Sequence, residues 1–150
     1  MSQKGVMMKI FNFKEFKSLD LKEPEFLVDQ LIYEQTISIV VAKPKVGKSI
    51  FCRNLSCALA KGEEFMGYKT KKSKVLYIPF EENLYNVRKQ FRTFMGDTET
   101  DNLFIADQTE FISFESLEGA ITSYSVDVVF LDTMIRALDI KDINLSLIHI

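Results

Sequence analysis

The sequence predicts an α/β fold in which a mostly parallel sheet is flanked by helices. Apolar runs of strand length at 36–41, 75–80 and 126–131 alternate with stretches of helical periodicity. Each run also delivers polar chemistry where it ends: a Gly-Lys-Ser loop after the first, Glu81-Glu82 after the second, and Asp132 after the third. In open parallel sheets ligands gather outside the C-terminal strand ends.

In chain order, residues 10–19 set Phe13, Phe16 and Leu19 at near-helical spacing. They predict a short amphipathic element that covers the core, or alternatively docks on a neighbouring subunit. Lys22 to Pro24 breaks that pattern. Phe26 to Ile32 leads toward the first strand, with Tyr33 to Gln35 as a turn, and Thr36 to Val41 is the β-branched run expected to form that strand.

Ala42-Lys43-Pro44-Lys45-Val46-Gly47-Lys48-Ser49 then fits the phosphate-loop pattern G-x-x-x-x-G-K-[ST] at every position but the first. A loop between a strand and a helix N-terminus gathers backbone N–H groups into a concave anion site, which the helix dipole reinforces. Gly47 lets the backbone approach phosphates, Lys48 puts a charge on the β and γ oxygens, and Ser49 offers a hydroxyl to magnesium. Ala42 in place of glycine costs only if that position needs a positive φ. Pro44 gives no N–H but stiffens the loop.

A helix is predicted from about Lys48 to Lys61, with Phe51, Leu55, Ala58 and Leu59 facing the sheet and Gly62 as its C-terminal cap. Residues 69–74 hold four lysines in six and read as a solvated loop, with nucleic-acid contact as the alternative. Val75 to Phe80 is a buried strand that places Glu81 and Glu82 within reach of a water beside a nucleotide. Asn83 is placed to start a helix whose Leu84, Val87, Phe91 and Phe94 face the core, with Arg88, Lys89 and Arg92 toward the other side. Asn102 to Ala106 is a further strand and Phe114 to Tyr124 a helix that tolerates Gly119. Val126 to Thr133 follows the Walker B pattern, in which Asp132 holds magnesium through its water shell, while Asp127 at the strand entry reads as solvated.

At 150 residues, 47% hydrophobic and 27% charged, the chain has the composition of one ordinary globular domain. A net charge of −2 argues against a global basic surface for nucleic acid. No apolar run is long enough for a signal peptide or a membrane span, so a cytoplasmic protein is expected. Cys52 and Cys57 lie five apart on the predicted helix and read as buried free thiols rather than metal ligands or a disulfide.

The order of phosphate loop, carboxylate pair and Walker B strand resembles the RecA-type ATPase core. More closely, residues 24–140 resemble the RepA-like AAA ATPases, a family of hexameric plasmid replicative helicases with phage and chromosomal relatives. The stretches that carry the likeness are Glu25 to Asp29, Pro44-Lys45-Val46-Gly47-Lys48-Ser49, Val75 to Ile78 with Glu81-Glu82, Ala60-Lys61-Gly62 with Phe65 and Gly67, and Leu131-Asp132-Thr133 with Arg136.

The resemblance implies ATP and Mg2+ as cofactors, with phosphate and metal on Lys48 and Ser49 and metal also on Asp132. It gives Glu81 the attacking water, makes Glu82 and Arg136 supporting residues, and implies a homo-oligomeric ring, DNA as a partner, and an arginine supplied across the subunit interface. Coupling of hydrolysis to DNA unwinding or remodelling in replication or repair follows by analogy. The alternatives are a nucleotide-binding module without turnover and another P-loop enzyme such as a kinase. A GTPase is disfavoured, because neither Asn-Lys-x-Asp nor Asp-x-x-Gly after the second strand appears.

The reading divides the chain into an N-terminal arm (1–23), a partial RecA-like core (24–144) and a non-native or truncated tail (145–150). A RecA-type core continues past Walker B with a crossover and another parallel strand. The segment from Thr133 to Asn144 is too short for both a loop and a crossover, so Leu145 to Ile150 is not expected to be that strand, nor His149 its sensor. Without that strand the middle of the sheet is expected to stay unpaired, with apolar surface open.

Overall fold

The computed structural model describes residues 9–107 and 113–132. Its centre is a three-stranded parallel sheet of β3 (Val75–Pro79), β4 (Leu103–Ile105) and β5 (Val128–Asp132), in the order β4-β3-β5. All five residues of β3 are buried, as expected of a continuous apolar run that is central in a parallel sheet. In register, Val75 faces Leu103 on one side and Val128 on the other, and Pro79 faces Asp132.

The chain passes from β3 through α3 (Leu84–Met95) to β4, then through α4 (Phe114–Tyr124) to β5 on the other side of β3. That reversal puts the two crossover helices on opposite faces. Tyr77 of β3 packs with Val87 and Phe91 of α3 and with Cys57 of α2 (Lys48–Lys61). Leu76, Ile78 and Phe80 point the other way, toward Leu117 and Ala120 of α4. The period of two along a strand therefore sends Val128, Phe130 and Asp132 to the α2 face and Val129 to the α4 face.

Helix α2 follows its predicted bounds. Gly62 ends it at φ +74°, donating its N–H to the carbonyls of Ala58 and Leu59. A Cβ there would lie 2.9 Å from Cβ of Lys72, so the position excludes side chains on two grounds. Leu55, Ala58 and Leu59 are buried as expected, whereas Phe51 lies at the rim with its ring edge-on to Phe65. Asn83 and Ser113 cap α3 and α4 by accepting from the N–H groups of Asn86 and Ser116. Of the α3 residues expected in the core, Val87 and Phe91 are buried, Phe94 is half-buried and Leu84 is exposed.

Three expectations are corrected. The N-terminal element is a helix, α1 (Phe13–Lys17), held by a capping box between Asn12 and Glu15, but it covers no core: Phe13 is 75% and Phe16 51% exposed. Residues 26–33 form a small antiparallel hairpin, β1 (Phe26–Val28) and β2 (Ile32–Tyr33), instead of leading directly to the next strand: its own turn falls at 29–31, and the expected turn is found at Glu34 and Gln35, with Tyr33 in β2.

Thr36 to Val41 does not form a strand. It is exposed throughout, with Ile37 at 92% and Val41 at 85%, and among the described residues no strand pairs with it. β-Branched residues favour a pleated surface only when neighbouring backbone groups complete the ladder. The edge of β5 away from β3 is likewise unpaired among the described residues.

Asp127 is exposed, as expected, and its Oδ2 accepts the backbone N–H of Lys74 at 2.8 Å, joining the entries of β3 and β5.

Candidate functional site

Polar side chains converge where α2 begins, against the C-terminal ends of β3 and β5. The loop 42–47 enters α2 through Gly47 at φ +94°. Lys45 also takes a positive φ, 64°, a conformation that costs a non-glycine residue about 1–2 kcal/mol. Ala42 is not among the positive-φ residues, so replacing the usual glycine there brings no left-handed strain. The N-termini of α1, α3 and α4 are each capped by a side chain, but that of α2 is not. Its first N–H groups are left to solvent or an anion. Lys48 folds over the loop, its Nζ donating to the carbonyls of Ala42 at 2.9 Å and Lys43 at 3.0 Å.

On the sheet side Asp132 is 8% exposed. Its Oδ1 accepts the Ser49 hydroxyl at 2.9 Å, and its Oδ2 accepts the Tyr77 hydroxyl and Nη2 of Arg53, the latter at 3.4 Å. The same Nη2 donates to Oε1 of Glu82 at 2.8 Å, while Nη1 donates to Gln90, whose amide reaches Oε2 of Glu82 at 3.0 Å. Arg53 is 1% exposed and its guanidinium lies 5.6 Å from the centre of the Tyr77 ring.

Burial works against the charge on Arg53. The hydrogen bond to Glu82, with the charges of Glu82 and Asp132, outweighs burial and holds the guanidinium above its usual range. Burial, followed by the Asp132 hydrogen bond and charge, raises the Tyr77 phenol far above its usual range, so it remains a donor at neutral pH.

The fold thus joins Ser49 to Asp132 and ties Glu82 to Asp132 through Arg53. Glu81 is exposed at the strand end. Arg136 lies outside the described residues. Arg53, Tyr77 and Gln90 were not singled out from the sequence. For Arg53 a signal existed: it stands four residues after Ser49 on α2, so both face the same way, and a charge amid Cys52, Leu55 and Cys57 needs a partner.

Cys57 is buried and Cys52 half-buried, both packed in the Tyr77 cluster, and desolvation pushes each thiol up to about 11. In the lysine-rich segment, Lys71 holds Glu25 and Glu34 at 2.7 and 2.6 Å, and Lys74 reaches the Tyr124 carbonyl. A groove of about 510 Å3 opens on the opposite, α4 face, but apolar side chains line most of it and none of its lining residues is charged.

The donor set at Ser49 and Asp132 suits magnesium: a hydroxyl and a carboxylate are hard oxygen ligands, and this ion keeps several waters and takes few protein ligands. Among the described residues no group of three or more His, Cys, Asp or Glu side chains forms a metal cage.

A parallel sheet flanked by helices, with a Gly-Lys-Ser loop opening α2 against a strand-end carboxylate, is compatible with a P-loop nucleotide-binding core. A family model described as an AAA domain matches residues 6–145, and the chain belongs to that family, which is of the AAA/P-loop ATPase type. Membership points to nucleotide-binding ATPase activity. No curated protein and no solved structure matches the chain. No helix among the described residues is long and apolar enough to cross a membrane.

Proposed function

We propose that the chain binds ATP with magnesium between the loop 42–49 and Asp132 and hydrolyses it, as a cytoplasmic RecA-type motor ATPase. The observation that carries this reading is the 2.9 Å hydrogen bond from Ser49 to Asp132, which joins motif residues 83 positions apart. Lys48, now on two neutral carbonyls, exchanges them for phosphate oxygens, where charge-assisted hydrogen bonds are roughly twice as strong. The N–H groups at the start of α2 take the remaining phosphate charge.

Ser49 and Asp132 would hold a magnesium ion, which would supply positive charge against the charge that builds up during phosphoryl transfer. Both oxygens of Glu82 are engaged, by Arg53 and Gln90. Glu81, at the exposed end of β3, is the member of the pair that the resemblance to RepA-like ATPases assigns to the attacking water, with Glu82 supporting it. Coupling to DNA unwinding or remodelling, within a ring of identical subunits, rests on the resemblance to RepA-like ATPases.

A second reading, nucleotide binding without turnover, is favoured by the segment 36–41, which pairs with no strand among the described residues and so gives the loop no described strand anchor opposite its helix end. Phosphate release from ATP, with and without single-stranded DNA, separates the two. ATPase activity is expected, stimulated by DNA, with Glu81→Gln abolishing release while keeping nucleotide binding. Unchanged release in that variant removes Glu81 from its role, and binding without release in the parent establishes the second reading.

A further inference from the structure

We propose that Arg53 is a positioning residue for the metal-side carboxylate: with Tyr77 it takes Oδ2 of Asp132, which turns Oδ1 toward Ser49, and the same nitrogen ties Glu82 to that arrangement. The inference rests on the nucleotide reading of the site and adds a residue that the loop motif does not contain.

A buried guanidinium is a poor means of stabilising a core, because a well-packed apolar residue of similar volume does as well or better. Here the cost is greater, since Nε of Arg53 is buried without an acceptor among the described residues. What the charge does achieve is order. Nη2 lies 2.8 Å from Glu82 and 3.4 Å from Asp132, so one cation bridges two carboxylates that would otherwise repel each other.

The terminal torsion of an aspartate is soft, and magnesium demands near-ideal octahedral geometry. Holding Oδ2 from two directions removes that softness. Because Arg53 sits one turn after Ser49 on α2, the hydroxyl and the carboxylate are fixed by the same helix.

The test follows binding of a fluorescent ATP analogue at fixed concentration while MgCl2 is titrated, with thermal melts of every variant alongside. Arg53→Met is expected to raise the magnesium concentration for half-maximal binding about tenfold, the usual scale for losing a group that orients a metal ligand. Arg53→Lys, which keeps the charge, is expected to recover part of that shift, and Glu82→Gln to give a smaller shift in the same direction.

A purely structural Arg53 would lower the melting temperature without moving the magnesium midpoint. That result in folded Arg53→Met overturns the proposal. If Arg53→Met does not fold, Glu82→Gln decides: a raised midpoint supports the proposal and an unmoved one overturns it. Loss of Lys48-dependent binding in the parent itself would remove the nucleotide reading, and this inference with it. Lys48-dependent binding with unmoved midpoints would remove only the role of Arg53.

Discussion

The segment that leads into α2 and the strand ends that face it differ in how far the fold dictates their geometry. Residues 36–46 are exposed and, among the described residues, no strand pairs with them. Asp132 and Arg53 are buried, with Tyr77, Glu82, Gln90 and Ser49 fixing their positions. One side of the site is therefore built into the core, and the other is specified by a loop motif. Substitutions on the built side should disturb folding and function together, and those on the loop side function alone.

The largest stability effect is expected at Asp132. Asp132→Ala leaves the buried Tyr77 phenol without its acceptor and removes the longer of the two carboxylate contacts of Arg53, which keeps Glu82, and should cost about 1–3 kcal/mol, read as a lower urea midpoint. Lys48→Ala is the counterpart on the loop side. It should leave stability within about 0.5 kcal/mol, because its bonds go to exposed carbonyls, yet weaken binding of the ATP analogue by at least about 30-fold, the loss expected on truncating one partner of a charge pair.

Gly62→Ala is intermediate. A left-handed φ and the approach to Lys72 together should cost about 1–2 kcal/mol with no direct effect on the site.

The smallest effect is the sharpest test of the contrast. Ile37→Thr and Val41→Thr should each change stability by less than about 0.5 kcal/mol, since those side chains are already in solvent. A loss of 2 kcal/mol or more, in the same urea experiment, would mean that the segment packs against something in solution and that the two sides are built alike.

What was legible in the sequence follows from how local each signal is. Helices α2, α3 and α4 were readable because their caps and apolar faces lie within one segment: Gly62 ends α2, and Asn83 begins α3. Strand β3 was readable because a central parallel strand is apolar throughout. The same rule failed at 36–41, where an equally apolar run has no described neighbour to complete its ladder. The hairpin at 26–33 was missed because each of its strands has only two or three residues.

At the site, the motif residues Lys48 and Ser49 and the strand-end residues Glu82 and Asp132 were named in advance. The link among them was not. Arg53 and Tyr77 belong to no motif, and their role exists only once α2 lies across β3 and β5.

The central claim, that a nucleotide sits between the loop and Asp132, is tested most directly by titrating the fluorescent ATP analogue into the 150-residue chain and into Lys48→Ala and Asp132→Asn, each with and without magnesium. The account predicts binding that Lys48→Ala weakens at least about 30-fold with or without the metal, and a magnesium-dependent gain that Asp132→Asn removes while metal-free binding persists. Equal binding by a folded parent and a folded Lys48→Ala, or a full magnesium gain in Asp132→Asn, would contradict it.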